Sequence, residues 1–275
     1  MVSNDSNPLG RLIKTGKILI APGAYDALSA LVIQRIGFNA IYVTGSGQSY
    51  SRLGMQDLGF TGLQDMIDGI FKISSRVEIP LICDADTGYG NDLNTAYTVR
   101  MYEKAGADAI QIEDQKLPKK CGHLEGKVLE EPEEMITKLK AALNTRKRAM
   151  IIARTDAVSV LGLSEAIQRA NEYISHGADI AFVESPSSVE DIRVIANEVK
   201  GKKLINMVEG GKTPLVPASE LEEMGYSIVI YPNAAIRSAV FSIERTMEIL
   251  FRTGTTSTNL DNMYDFNTLQ DLIRV

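Results

Sequence analysis

The chain of 275 residues has no tryptophan, two cysteines and two histidines. So few cysteines exclude the disulfide framework of a small secreted domain. Cys83 lies in the apolar run PLICDAD and Cys121 in a polar loop, and no C-x-x-C pair exists to grip a metal or run redox chemistry. Both thiols are read as reduced. No uncharged apolar run reaches the ~18 residues of a membrane span. The opening MVSNDSNPLGRLIKTGK lacks an apolar segment followed by a cleavage site, so the reading predicts no membrane partner, no secretory leader and a cytoplasmic protein. A net charge of −6 leaves no excess of Lys and Arg, which excludes nucleic acid as the main partner. Small polar substrates remain.

What is present is ordinary in bulk: 44% hydrophobic and 23% charged residues, the usage of a globular chain with a sizeable core. Eight β-rich runs punctuate it, at 18–23, 40–45, 80–86, 109–114, 149–155, 180–185, 203–208 and 227–232. Most are near-continuous apolar stretches, as parallel strands buried on both faces require. Helical periodicity fills the intervals, as in 94–106, 164–177 and 218–225, each closing on Gly. GFNAIYV (37–43), GADAIQI (106–112), GADIAFV (177–183) and GYSIVIY (225–231) repeat one unit, a helix-ending glycine followed by a strand. Eight such strands with no linker between them predict an α/β protein, a (β/α)8 TIM barrel, in preference to an open doubly wound sheet. The whole of 1–275 is read as one barrel domain with a helical extension from about 233 to 275. Within it, 233–254 reads as one long apolar-periodic helix, and the tail ending LQDLIRV is more apolar than a solvated tail needs. Contact with another subunit would explain both.

A barrel of this kind places its active site at the C-terminal ends of its strands. Those ends are chemically uneven: Tyr42, Thr44 and Gly45 on strand two, Asp84 and Asp86 on three, Glu113 and Asp114 on four, Arg154 and Asp156 on five, Glu184 on six, Asn206 and Glu209 on seven. Alternate residues of a strand share a face, so Asp84 and Asp86 are expected to project together. With Glu113 they would make an oxygen-rich site suited to Mg2+, which takes one or two carboxylates and keeps several waters. The bland alternative is that Asp86 caps the DTGYG turn. Crowded carboxylates repel one another unless a cation separates them, a second reason to expect a metal. The planar fork of Arg154 suits a substrate carboxylate, with an internal ion pair to Glu184 or Asp156 as the competing role.

Residues 116–127 read KLPKKCGHLEGK, a loop cysteine among lysines. Cationic neighbours favour a thiolate and exposure gives access, so Cys121 is a candidate for chemistry against the alternative of a chance surface thiol. GSGQSY misses a dinucleotide fingerprint because Tyr50 stands where glycine is needed, and VEGGKT misses a phosphate loop because Asn206 does. Cys83 reads as a small core residue, and His176, before Gly177, as a favourable charge at a helix end.

PKKCGH after QIED, D-A-D-T-G-Y-G, ARTDA and N-M-V-E-G-G-K-T-P together resemble the isocitrate lyase and phosphoenolpyruvate mutase superfamily, over Pro22 to about Pro232. The resemblance implies a barrel whose last helix is exchanged between subunits, a homotetramer built as a dimer of helix-swapped dimers. It implies Mg2+ or Mn2+ on Asp84 and Asp86, with Asp57 and Glu113 acting through water. In the lyase branch the K-K/R-C-G-H loop is a mobile gate whose cysteine is the general acid, which makes Cys121 that acid and favours carbon–carbon cleavage over phosphoryl migration. Glu113, Tyr42 or a metal-bound hydroxide is left as the base, with His123 also placed in the catalytic group. The substrate-binding set implied is Tyr42, Thr44, Gly45, Ser46, Gly122, His123, Arg154, Glu184, Asn206, Thr213 and Pro232. V-E-G-G-K-T-P resembles the members that cleave dialkyl malates, whereas methylisocitrate-cleaving members carry T-E-F-G-K-T-P. The expected substrate is therefore a hydroxy-dicarboxylate or tricarboxylate, read first as a 2-alkyl or 2,3-dialkyl malate and second as 2-methylisocitrate. Pro232 stands where oxaloacetate hydrolases carry serine. Carboxyphosphonoenolpyruvate mutase activity and a non-catalytic carboxylate-binding role complete the alternatives.

Overall fold

A computed structural model describes residues 7–274. Residues 1–6, the start of the stretch read above for a leader, and Val275 of LQDLIRV lie outside the described residues. Eight strands form a closed, all-parallel barrel in chain order: β1 (Leu19–Ala24), β2 (Ile41–Val43), β3 (Leu81–Asp84), β4 (Ala109–Glu113), β5 (Met150–Thr155), β6 (Ile180–Val183), β7 (Lys202–Asn206) and β8 (Ile228–Tyr231). The expected runs and the strands coincide to within a few residues. They differ mainly at the C-terminal ends, where the chain leaves the sheet to build the mouth. No helix among the described residues is long and apolar enough to cross a membrane.

The strands are apolar on both faces because each face has its own core. Inward residues, Leu19, Ala21, Ile82, Ala109, Met150, Ile152, Ile180, Phe182, Leu204, Ile228 and Ile230, fill the barrel's lower interior. Outward ones such as Val43, Cys83, Ile110, Ile112 and Ile151 pack under the helices, so Cys83 is the small core residue expected. The repeated glycine has a conformational reason. Gly37 (φ 105°) and Gly106 (φ 113°) end the helices Ala27–Ile36 and Asp92–Ala105 in the left-handed region, where a Cβ is strained, and turn the chain into the next strand. His176 ends the helix Leu163–Ser175, with its Nδ1 at 2.9 Å from the Glu172 carbonyl oxygen, a helix-end role as expected.

Two departures matter for the site. β3 stops at Asp84, and Asp86 lies beyond it at φ 45°. Strand alternation is therefore not what brings the two aspartates together; a turn is, closed by the Asp86 N–H donating to Asp84 Oδ1 at 3.1 Å. At the other end, 233–254 is one helix, Ala234–Thr253, but Ile236 is its one buried residue, and Phe251 is 92% exposed. Ile20, Pro22 and Tyr231, on the outer side of the β8–β1 seam, stay half-buried. The last helix, Phe266–Ile273, touches Ala27–Ile36, and Arg76 Nη2 donates to the Ile273 carbonyl at 3.0 Å.

The seam closes tightly. A Cβ on Gly23 would lie 2.0 Å from the Pro232 carbonyl oxygen, backbone against backbone. Gly23→Ala is expected to cost about 1–3 kcal/mol of stability. Urea denaturation reads it, and an unchanged midpoint would mean that the seam is slack.

Candidate active site

The inward series of each strand turns polar as it reaches the mouth. Above the apolar layers stand Tyr42 of β2, Asp84 of β3, Gln111 and Glu113 of β4, Arg154 of β5 and Asn206 of β7, with Glu184 one residue past β6. A small cavity lies among them. Of the residues named from sequence, Tyr42, Thr44, Ser46, Asp57, Asp84, Glu113, Cys121, Gly122, His123, Arg154, Glu184, Asn206 and Pro232 line it. Gly45, Asp86 and Thr213 do not. Gly45 backs onto Asp84, where an added Cβ would sit 2.8 Å from Oδ2, and Thr213 is buried behind the wall. Lys119, Lys120, Val208 and Asn233 also line the cavity and were not named. The lysines were in plain view in PKKCGH.

Lys119 organises the acidic side. Its Nζ lies 2.5 Å from Asp57 Oδ1 and 2.7 Å from Asp86 Oδ1, so Asp86 serves an ion pair rather than capping its turn. Burial pushes the Asp86 carboxyl up; Lys119 pulls it back while Asp84 and Asp57 push further, and it settles at about 7. Glu113 is also driven well above the usual carboxylate range by burial, against the pull of Arg154, and its Oε1 has no hydrogen-bond partner. Tyr42 OH donates to Gln111 Oε1 at 3.0 Å, and Gln111 Nε2 donates to Asp84 Oδ1 at 3.1 Å. Burial and then Asp84 push the Tyr42 phenol far up, so it stays protonated.

The loop carrying Cys121 is pinched at a neck, where Lys116 N–H donates to Val128 O at 2.8 Å, and folds over the mouth. The Gln115 side chain brackets the Lys120 backbone, donating to its carbonyl at 2.9 Å and accepting from its N–H at 3.0 Å. Cys121 N–H donates to Asp57 O at 3.2 Å. The neighbouring lysines do not make a thiolate. Burial raises the Cys121 thiol more than the His123 backbone N–H lowers it, and Lys119 is spent on carboxylates. The group is a protonated thiol at neutral pH. His123 is held neutral by burial. Its Nδ1 accepts from Lys212 N–H at 3.0 Å, which assigns the hydrogen to Nε2, 3.5 Å from Glu184 Oε1.

Arg154 is more committed than its fork suggested. Asp156 takes it bidentately, Oδ2 from Nε at 2.9 Å and Oδ1 from Nη2 at 3.0 Å, while Glu113 and Glu184 stand 3.4 and 3.5 Å away. The guanidinium lies over the Phe182 ring, 5.3 Å from its centroid. A ligand carboxylate would meet its Nη1 edge. Asn206 Nδ2 donates to Glu184 Oε2 at 3.1 Å and leaves Oδ1 without a partner. Val208 and Pro232 make the apolar part of the wall.

Among the described residues no three Asp, Glu, His or Cys side chains stand close enough to grip one bare ion. The carboxylates are spaced with an ammonium between two of them, and a buried carboxylate oxygen of Glu113 has nothing to bond. That donor set fits a hydrated divalent cation held by one or two carboxylates and otherwise through water.

With this geometry in hand, comparison with known proteins is specific. The phosphoenolpyruvate phosphomutase family profile matches residues 9–251. The 2,3-dimethylmalate lyase of Eubacterium barkeri is 45% identical, over 98% of this chain and 94% of that protein. A 2-methylisocitrate lyase of Aeropyrum pernix is 43% identical, over 96% and 86%. A crystal structure of 2,3-dimethylmalate lyase, a PEP mutase/isocitrate lyase superfamily member, superposes with TM-score 0.92 at 37% identity, covering 99% of this chain and 92% of that one. Phosphonopyruvate hydrolase, solved with oxalate and Mg2+, superposes at 0.88 with 29% identity, covering 99% and 95%.

If Asp86 ligates a cation at the mouth, binding has to displace the proton its carboxyl holds up to about pH 7. Mg2+ or Mn2+ affinity is therefore expected to rise with pH through that value, by up to about tenfold per unit, and to fall below it. Calorimetric titration from about pH 6 to about pH 8 checks this, and a flat profile would remove Asp86 from the site.

Proposed function

The chain belongs to the phosphoenolpyruvate phosphomutase family, and from that premise we propose that it is a metal-dependent carbon–carbon lyase cleaving a 2-alkyl or 2,3-dialkyl malate to an α-keto acid, such as pyruvate, and a short carboxylic acid. The observation that carries this reading is the protonated Cys121 thiol, held by a closed loop over a cavity that also contains Glu113 and Arg154. Phosphoryl migration has no use for an acid there.

The base takes the proton of the 2-hydroxyl. Glu113 suits that role, because burial raises its proton affinity well above that of an ordinary carboxylate, whereas the Tyr42 hydrogen is committed to Gln111. The alkoxide becomes the keto group as the C2–C3 bond breaks, and the electron pair passes onto C3 and its carboxylate. That dianionic fragment is met by donors on this chain: the Arg154 Nη1 edge, His123 Nε2–H and Asn206 Nδ2. Cys121 then gives its proton to C3, and the thiolate recovers one from solvent when the loop opens. Mg2+ or Mn2+ on Asp84 and Asp86, with Asp57 and Glu113 reached through water, would supply positive charge to the 2-hydroxy acid and acidify its hydroxyl.

The substrate choice follows from the wall. Near β7 and β8 the cavity offers Val208, Pro232 and neutral amides, while the nearby cations are engaged, Lys212 by Glu125 and Arg237 by the Glu209 backbone. An alkyl group would find an apolar surface on that wall, whereas a third carboxylate, as in 2-methylisocitrate, would meet neutral side chains there. Cleavage of 2-methylisocitrate to pyruvate and succinate is the second reading, supported by the 43% relative. Keto-acid release with Mg2+, coupled to lactate dehydrogenase, is expected from 2,3-dimethylmalate in preference to 2-methylisocitrate, isocitrate and oxaloacetate. Cys121→Ser is expected to lose about 10²–10⁴-fold in kcat with metal binding intact. A preference for 2-methylisocitrate would overturn the substrate; a fully active Cys121→Ser would overturn the mechanism.

The same reading places a second copy of the chain against the bare face of Ala234–Thr253, including Val240, Phe241, Ile243 and Phe251, all more than half exposed. The half-buried Ile20, Pro22 and Tyr231 mark where a partner's helix would lie. Light scattering is expected to give a homotetramer, and Phe251→Asp a smaller species; a monomeric native chain would end the proposal.

A further inference from the structure

The gate loop contains a second buried lysine that the cleavage steps above do not use. Lys127 sits beside the neck, and its Nζ donates to Asp156 Oδ1 at 3.0 Å and to the Gly122 carbonyl oxygen. Ser185 Oγ reaches the same carbonyl at 3.1 Å and Glu184 Oε1 at 3.1 Å. Ser185 holds φ 59°, a left-handed conformation that a serine keeps only when its surroundings impose it. Gly122 itself has no room to spare: a Cβ there would lie 2.5 Å from Arg154 Nη2 and 2.6 Å from Glu184 Cγ. The peptide next to the acid is thus packed directly on two residues of the cavity.

Asp156 is the shared anchor. Burial pushes its carboxyl up, but Arg154 and Lys127 outweigh that and hold it at about 2. Arg154 already satisfies it with two bonds, so Lys127 is not needed to neutralise it. What the ammonium adds is the bond to Gly122. We propose that Lys127 is a positioning residue: anchored on Asp156, it latches the Gly122 carbonyl and so holds the loop shut, with Cys121 over the cavity and Arg154 fixed beneath. Closure and alignment of the arginine become one event, because both run through one carboxylate.

The inference rests on Cys121 being the acid, and its test is chosen to separate the two. Cys83 is fully buried, so alkylation by iodoacetamide, read by mass spectrometry, reports how often the loop exposes Cys121. In Lys127→Met the thiol is expected to be alkylated about tenfold faster than in the wild type, with or without oxalate and Mg2+. With substrate, kcat is expected to fall about tenfold or more while KM changes less than about threefold, since the loss is in alignment of the acid. Lys127→Arg, which keeps a cation, should recover part of both. Unchanged alkylation in Lys127→Met would overturn the latch whatever the kcat. If that variant does not fold, Ser185→Ala, which removes the other donor to Gly122 O, must also speed alkylation, and an unchanged rate there overturns it equally. Should no malate be cleaved by the wild type, the alkylation result still decides the latch alone.

Discussion

Charge compensation in a confined mouth is the constraint on which the rest of the site depends. Asp57, Asp84, Asp86, Glu113, Asp156 and Glu184 are all buried at one end of the barrel, and Lys119, Lys127 and Arg154 are the buried cations set among them. An unpaired buried charge is costly, and breaking a buried pair typically costs about 3–5 kcal/mol. Arg154 belongs to a strand and is always in place. Lys119 and Lys127 belong to the loop. Shutting the loop is therefore not merely covering a cavity with chain: it brings the Lys119 ammonium to Asp57 and Asp86, and the Lys127 ammonium to Asp156, which Arg154 also pairs. Were the loop to lift, Asp57 and Asp86 would lose the Lys119 ammonium and have to protonate, hydrate or accept another cation. With the loop shut, burial and Lys119 already pull the Asp86 carboxyl in opposite directions.

The barrel supplies the rigidity this requires. Below the mouth the interior is filled by Ile82, Met150, Ile152, Phe182, Leu204 and their apolar neighbours. The polar residues begin abruptly one step higher on the same strands. Their positions are set by hydrogen-bonded register, as in the pairing of Glu113 with Arg154 across β4 and β5, rather than by loop conformation. Phe182 joins the two layers, closing the apolar core from above and giving the Arg154 guanidinium a flat surface on which to lie. Fixed strand groups with one moving segment give a site that is preorganised yet accessible.

What could be read from the sequence follows that division. The strands were legible because both faces of each are buried, which writes continuous apolar runs. The site acids were legible because a carboxylate at the end of such a run stands out against it and, in a barrel, faces the mouth. Arg154 with Asp156 was legible as a pair because Asp156 follows two residues later, just past the end of β5, though not that Asp156 would occupy both arms of the fork. Asp84 and Asp86 were rightly placed together for the wrong geometric reason, since the chain leaves the sheet after Asp84 and Asp86 itself adopts the left-handed conformation. The loop's anchors were not legible. Gln115 folding back on Lys120, Lys119 bridging Asp57 and Asp86, and Lys127 reaching Asp156 all depend on the path of an irregular segment, which no periodicity records. Val208 and Asn233 were missed for the related reason that an ordinary residue just past a strand carries no chemical signature.

In the proposed reaction the acid is a thiol, and the same charges make a thiol suited to so anionic a mouth. A carboxylic acid on the loop would add a further negative group, and once deprotonated it would repel the carboxylates below and tend to reopen the gate. An imidazolium would be drawn into an ion pair and held there; His123 escapes that by staying neutral, buried, with Nδ1 accepting from Lys212 N–H and Nε2 left without a hydrogen-bond partner, 3.5 Å from Glu184. A thiol is uncharged while the loop closes, so it adds nothing to the electrostatic cost. Burial keeps its proton on until a stronger base appears. The carbanionic fragment released by carbon–carbon cleavage is such a base, and neutral ligands are not. In the proposed cleavage the acid would thus react only after the bond has broken, and the thiolate left behind, among carboxylates, would have reason to leave with the loop.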